Sequence, residues 1–194
     1  MGELDPQPLD AFNMLSLDPG TETLGHAIIQ VHAVTQEIVN AEAWTVHASK
    51  LPYLSEWNTS LYHERFARIQ ALKESLRQTL EVYNPSIVAC ESPFYNPRRP
   101  NAFEALLDVL YAIRDTVFQW NPNVCIAFVT PSLAKKSIGV SGQSSDKDLV
   151  IKTILAHDKF KDLGLGNIDQ HSADAMAVGY YRYTQLKSRT IPAE

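Results

Sequence analysis

Apolar residues recur along the chain with two different periods, and together they predict a sheet combined with helices. Short apolar runs bounded by turn residues predict strands, and these runs cover residues 14–17, 25–31, 38–46, 86–90 and 124–129. Spacings of three and four predict amphipathic helices over residues 61–83, 101–120, 146–159 and 170–186, with a short helix opening at Pro131. The order of these elements indicates an α/β fold, with one mixed five-stranded sheet and helices on both faces.

The same pattern divides the chain into three parts. Residues 1–13 are predicted to form a flexible N-terminal arm, residues 14–187 a single domain, and residues 188–194 a loose tail. A length of 194 residues suits one domain with a sizeable core. Within it, the stripe of the first long helix is predicted to consist of Leu61, Ile69, Leu72, Leu76 and Leu80.

Charge and cysteine content narrow the class of protein. The net charge of −5 argues against a general nucleic-acid coat protein but leaves room for a nuclease with a local basic surface. Lysines and arginines that could form such a surface, or simply a solvated face, are Arg98, Arg99, Lys135, Lys136, Lys147, Lys152, Lys159 and Lys161. Cys90 and Cys125 lie in apolar runs and are predicted to be buried thiols, as in a reducing compartment.

The chain shows no apolar signal region and no run approaching the roughly 20 apolar residues that span a bilayer. We therefore expect a cytoplasmic protein without a membrane partner, located in the host cytoplasm if a virus encodes it.

Acidic groups follow two of the predicted strands. Asp18 ends the strand 14–17 and precedes Pro19-Gly20, while Glu91 ends the strand 86–90. If the two strands are parallel neighbours, both carboxylates lie at their carboxyl ends, where open α/β sheets form ligand clefts. Alternatively, Asp18 is a turn residue that bonds its own backbone, and Glu91 is an ordinary glutamate at a strand end.

His171 and Asp174 are three residues apart on the last predicted helix and therefore share a face. Asp174 could instead complement the helix dipole, His171 could be a surface or capping residue, and Asp169 could be the N-cap or a spare ligand. Carboxylates from separate chain regions suit Mg²⁺, which prefers oxygen ligands. Two such ions can clamp the attacking water and the leaving oxygen of a phosphodiester.

Four segments resemble the RuvC-type Holliday-junction resolvases of the RNase H-like superfamily, over roughly residues 14–185. They are Leu-Asp-Pro-Gly-Thr at 17–21 with Gly25, Ala-Cys-Glu-Ser-Pro-Phe at 89–94, the lysine-bearing stretch 130–147, and His-Ser-Ala-Asp-Ala-Met-Ala at 171–177. Members of that family carry either Asp or His where His171 falls. The sequence is more similar to divergent members, such as phage-encoded ones, than to typical bacterial ones.

The resemblance implies the RNase H-like sheet, a homodimer, and paired symmetrical nicks in a four-way DNA junction. It also implies two Mg²⁺ ions per site, with Mn²⁺ as a substitute, and Asp18, Glu91, His171 and Asp174 as catalytic metal ligands. The DNA-binding residues that it implies are Phe94, Tyr95, Arg98, Arg99, Lys147 and either Lys135 or Lys136, with both lysines retained as candidates.

Three other functions compete with junction resolution. One is an RNase H-like nuclease acting on flaps, forks or RNA–DNA hybrids, and another is a junction-binding scaffold without catalysis. The third is an actin-like sugar or acetate kinase, which would need glycine-rich phosphate loops that the sequence lacks.

Overall fold

A mixed sheet forms the centre of the computed structural model. The structure describes residues 10–52, 54, 59–61, 63–95, 97, 100–144 and 146–190. For Lys147, Arg189 and Thr190 it describes the backbone alone. Its strands are β1 (Ala11–Pro19), β2 (Thr23–His32), β3 (Ile38–His47), β4 (Ile87–Glu91) and β5 (Ile126–Val129). They lie in the order β3-β2-β1-β4-β5. β2 is antiparallel to β1 and β3, whereas β1, β4 and β5 run parallel. The predicted five-stranded mixed sheet is confirmed.

Helices cover both faces of this sheet. They are α1 (Glu64–Tyr83), α2 (Pro100–Trp120), α3 (Pro131–Ser137), α4 (Lys147–Ala156) and α5 (Gln170–Thr190), with a short 3₁₀ helix at Ala48–Lys50. Local chemistry sets several of their ends. Asn84 takes the left-handed conformation after α1, Pro131 opens α3, and the Asp146 side chain caps α4 by accepting a hydrogen bond from the Leu149 amide.

Alternation along the strands creates two cores. Met14 of β1 points to the face that α5 covers, whereas Leu15 and Leu17 bury against α1 and α2 on the other face. Because the side-chain period of a strand is two, the even-numbered residues of β1 and the odd-numbered residues of β4 share the α5 face. That face carries Asp18 and Glu91.

Element ends differ from the sequence prediction in several places. Residues 11–13, predicted to belong to the arm, are part of β1, because Ala11 pairs with His32 and the Asn13 side-chain amide donates to the Tyr83 carbonyl at 2.6 Å. α5 continues to Thr190 instead of ending near Leu186, and Lys187 is tied to Glu37 at 2.8 Å. The predicted arm and tail otherwise fall on residues 1–9 and 191–194, outside the described residues.

Two predicted burials are wrong. Leu61 is exposed and lies before Glu64, where α1 begins, whereas the other predicted members of the stripe are buried. Cys125 is exposed because it precedes β5, the edge strand, whereas Cys90 is buried as expected. Among the helices described, none is long and apolar enough to cross a membrane.

Candidate active site

Asp18 and Glu91 are neighbours at the carboxyl ends of two parallel strands. Leu17 pairs with Cys90 in the parallel register between β1 and β4, so the next residue of each strand continues to the same edge of the sheet. Both side chains point to the α5 face, and the Asp18 side chain is only 13% exposed. The arrangement expected from the two strand ends is therefore present.

Glycine brings α5 close enough to complete the site. A Cβ atom on Gly25 would lie 2.2 Å from the His171 carbonyl oxygen, and one on Gly179 would lie 2.4 Å from the Ser16 hydroxyl. The absence of side chains at these positions lets the helix lie directly on β1 and β2. Asp169 is the N-cap of α5, because its Oδ1 accepts a hydrogen bond from the Ser172 amide at 2.9 Å. The same oxygen accepts a hydrogen bond from the Thr45 hydroxyl of β3 at 2.5 Å.

His171 contacts Asp18 directly. Its Nδ1 lies 2.8 Å from Asp18 Oδ2, and its Nε2 lies 3.2 Å from the Thr23 hydroxyl. The hydrogen bond to Asp18 raises the pKa of His171 above its usual value, although burial acts in the opposite direction. The imidazole is therefore held in the acidic cluster, as its spacing from Asp174 predicts.

The remaining carboxyl groups of the cluster, Glu91 and Asp174, are half-buried beside like charges. Burial, followed by the charges of Asp18 and Asp174, raises the pKa of Glu91 to about 9. Burial and the charge of Asp18 raise the pKa of Asp174 to about 6. Carboxyl groups with such raised pKa values are typical of sites that await a cation or transfer a proton.

Lys135 is the lysine that faces these carboxyl groups. Its positive charge lowers the pKa of both Glu91 and Asp174, opposing part of the effect of burial. Its Nζ donates to the Ser144 carbonyl at 2.9 Å, which ties Ser144 to the site. Lys136 is exposed and lies beside Gly142. The rotation of α3 about its axis therefore directs Lys135 to the acidic cluster and Lys136 away from it.

The donor set suits a hard divalent cation. Asp18, Glu91 and Asp174 contribute carboxylate oxygens from three elements to one half-buried cluster, and a bound cation would relieve the repulsion between them. As the side chains stand, no three His, Cys, Asp or Glu residues of the described chain form a ready metal-binding group. His171 is engaged with Asp18 and Thr23 instead, so the side chains must rearrange to share an ion.

The predicted DNA-binding residues have different surroundings. Phe94 is 73% exposed just past β4, so it is not buried within the loop, and Tyr95 packs edge-to-face on Phe103 at 5.4 Å between ring centroids. Arg98 and Arg99 lie outside the described residues, as does the Lys147 side chain.

Two residues in contact with the site carry no sequence signal. Thr23 and Ser144 reach His171 and Lys135 through tertiary contacts that no spacing along the chain indicates.

The strand order and the helices on both faces are those of the RNase H-like fold, and the acidic cluster lies at the carboxyl ends of its central strands β1 and β4. No protein-family model matches the chain, and no curated protein sequence matches it.

Solved structures match the chain over most of its length. RuvC of Thermus thermophilus is 18% identical, with a TM-score of 0.63 over 92% of this chain and 97% of that chain. The Holliday junction resolvase of yeast mitochondria, Ydc2, is 14% identical, with a TM-score of 0.55 over 90% of this chain and 80% of that one. The fowlpox virus resolvase, solved with Holliday junction DNA, is 17% identical, with a TM-score of 0.52 over 90% and 98%. The resemblance to RuvC-type resolvases is thus confirmed at the level of the fold.

Proposed function

We propose that the chain is a structure-selective, metal-dependent endonuclease that resolves four-way DNA junctions by paired symmetrical nicks. The observation that carries the proposal is the half-buried cluster of Asp18, Glu91 and Asp174, joined by His171 and Lys135 at the carboxyl ends of the two central parallel strands. The Thermus thermophilus RuvC and fowlpox resolvase structures include complexes with Holliday junction DNA. Their shared fold favours a junction over other nucleic acids as the substrate of this chain.

Each residue of the cluster has a proposed role. Asp18, at the centre, would bridge two Mg²⁺ or Mn²⁺ ions, with Glu91 holding one ion and Asp174 with His171 the other. When bound, the ions would supply an activated water and charge stabilisation for phosphodiester hydrolysis. Lys135, whose charge acts on Glu91 and Asp174, would offset charge on the phosphate in the transition state.

His171 has a second proposed role, independent of metal ligation. A neutral imidazole beside a carboxylate can orient the attacking water or accept a proton from it. The contact between His171 Nδ1 and Asp18 Oδ2 supports this role, because the carboxylate fixes which ring nitrogen carries hydrogen.

Residues around the cluster would bind DNA. The exposed Phe94 ring would stack on an unpaired base near the junction crossover, a contact that contributes about 1–3 kcal/mol. Arg98, Arg99 and Lys147 would contact phosphates and make the affinity sensitive to salt.

We expect Phe94→Ala to weaken junction binding more than it weakens binding to plain duplex DNA, with both affinities measured by fluorescence anisotropy.

We further propose that two copies of the chain act together. Tyr111 and Phe118 of α2 are each 66% exposed. A groove of about 530 Å³ between α1 and α2 is lined by apolar residues together with side chains of both charge signs. A two-fold dimer would place two equal sites on opposed strands of a junction that is itself approximately two-fold symmetric.

The deciding experiment uses a synthetic mobile four-way junction with each strand labelled in turn. Wild-type protein should nick two opposed strands symmetrically with Mg²⁺ or Mn²⁺ and not with a chelator. Asp18→Asn should bind the junction with unchanged affinity but fail to nick it. Asp158→Asn removes a carboxylate from the surface, where Asp158 is paired with Lys161, and serves as the control for the charge change.

The outcomes separate the proposal from its competitors. Wild-type cleavage rates in Asp18→Asn would refute the assignment of the site, and binding without nicking by the wild-type protein would indicate a scaffold. Flaps, forks and RNA–DNA hybrids assayed beside the junction test the alternative, because an RNase H-like nuclease of another specificity would cut one of these faster.

A further inference from the structure

Asp18, His171 and Thr23 form a continuous chain of hydrogen-bonding groups. His171 Nδ1 lies 2.8 Å from Asp18 Oδ2, and on the other side of the ring Nε2 lies 3.2 Å from the Thr23 hydroxyl. Thr23 is the first residue of β2, and His171 lies in the first turn of α5. Both ring nitrogens of His171 are therefore engaged by side chains from other elements.

The chemistry of the three groups determines where the hydrogens lie. The Asp18 carboxylate only accepts, so His171 Nδ1 carries a hydrogen and donates it. In the neutral ring, Nε2 then keeps its lone pair and accepts from the Thr23 hydroxyl. A metal ion needs that same lone pair, so Thr23 and a cation compete for one atom of His171.

Rigid backbone holds both ends of the Thr23–His171 contact. A Cβ on Gly20 would lie 2.8 Å from the Thr23 carbonyl oxygen and 3.1 Å from its hydroxyl, so the β1–β2 turn lies directly against Thr23. Thr23 also pairs with His47 across the sheet. The His171 carbonyl rests on Gly25. The contact therefore joins two fixed positions and does not depend on mobile surface side chains.

We infer that Thr23 is a positioning residue for His171. Its hydroxyl occupies Nε2 and keeps the ring on Asp18, so that a divalent cation that binds His171 through Nε2 must displace Thr23. The metal part of this inference rests on the proposed function. The hydrogen-bond part stands on the distances alone.

Two substitutions separate the hydroxyl of Thr23 from its shape. Thr23→Val keeps a β-branched side chain that suits a strand, and Thr23→Ser keeps the hydroxyl. With Mn²⁺ as the probe in isothermal titration calorimetry, Thr23→Val should bind about two- to tenfold more tightly than wild type, because one competing hydrogen bond is lost. Thr23→Ser should bind as wild type does.

A double-mutant cycle tests whether the effect passes through His171. In a His171→Ala background, Thr23→Val should no longer change Mn²⁺ affinity, because the ring nitrogen for which the two compete is gone. The inference is overturned if Thr23→Val alone binds Mn²⁺ equally well or less tightly. It is also overturned if the gain persists without the imidazole.

A spectroscopic measurement keeps this test independent of the proposed nuclease. Without divalent ions and at alkaline pH, the ¹⁵N spectrum should show a protonated Nδ1 and a hydrogen-bonded, unprotonated Nε2 for His171. Thr23→Val should move the Nε2 resonance toward that of a free imine nitrogen, and Thr23→Ser should not. If the wild-type protein binds no Mn²⁺, the proposed function fails, but the role of Thr23 can still be tested. An Nε2 resonance that is unchanged in Thr23→Val overturns that role.

Discussion

The close approach of α5 to the sheet at Gly25 leads to a prediction about both stability and the site. In Gly25→Ala, the new methyl group would lie 2.2 Å from the His171 carbonyl oxygen, whereas real Cβ contacts are essentially never under 3.0 Å. The first turn of α5 must therefore move away from β2 by at least 0.8 Å. The obstacle is backbone, so no side-chain rotation can relieve it.

This displacement falls on the residue that joins Asp18. Overpacking of this kind costs about 1–3 kcal/mol of unfolding free energy, which a domain of ordinary stability survives. A shift of about 1 Å in a reacting group can reduce activity on the order of a hundredfold. We therefore expect folded Gly25→Ala protein with a stretched His171–Asp18 contact and a cleavage rate lower by one to two orders of magnitude.

Gly179 provides a matched control on the same helix. Its Cβ would lie 2.4 Å from the Ser16 hydroxyl and 2.9 Å from Ile29 Cδ1, and both are ends of side chains that can rotate. Alanine also favours the interior of a helix by about 1 kcal/mol over glycine. Gly179→Ala should therefore lose less stability than Gly25→Ala and keep most of its activity.

Urea unfolding and junction cleavage measure the two effects separately. Gly25→Ala should lose more unfolding free energy and more cleavage activity than Gly179→Ala. If Gly25→Ala were as stable as wild type, or if Gly179→Ala lost equal activity, the close approach at Gly25 would not be what positions His171.

Three further predictions concern other parts of the molecule. Burial lowers the pKa of His26 from 6.5 to about 4, so the unfolded chain takes up the proton first as the pH falls. The free energy of unfolding should therefore decrease by about 3 kcal/mol between pH 6.5 and about pH 4. His26→Phe should flatten this part of the pH dependence measured by urea unfolding. Lys135→Gln should raise the pKa of Asp174 further above its present value of about 6, measured by ¹³C carboxyl shifts, and should reduce cleavage in the junction assay. Lys136→Gln is the matched control. Equal effects of the two substitutions would contradict the assignment of Lys135. Tyr111→Glu should convert a dimer to a monomer in light scattering, and an unchanged mass would place the interface elsewhere.

The periodic pattern predicted the elements well because burial follows alternation and helical spacing. The proximity of Asp18 and Glu91 was predicted from the strand pattern as well, since two parallel strands that end together place their terminal side chains together. Element ends were predicted less well. β1 extends back to Ala11 through a pairing with His32 that no local signal marks. Leu61 fits the helical spacing but lies before Glu64, where α1 begins, and is exposed.

The choice between Lys135 and Lys136 depended on a quantity that spacing leaves open, namely the rotation of α3 about its axis. Adjacent residues on a helix point about 100° apart, so only one of the two can face the acidic cluster. Packing of α3 and the contact between Lys135 and the Ser144 carbonyl determine which one. A short helix with few buried residues carries too little amphipathic pattern to predict this rotation.

Thr23 shows most directly why part of the site could not be predicted. It lies 148 residues from His171 along the chain, and its hydroxyl reaches Nε2 only because Gly25 lets α5 approach and Gly20 lets the turn close on Thr23. Sequence spacing placed His171 on the same helix face as Asp174, which is a statement about one element. Whether the ring is ready to bind a cation depends on contacts from two other elements. The proposed metal ligands were therefore predictable from local pattern, whereas Thr23, which contacts one of them, was not.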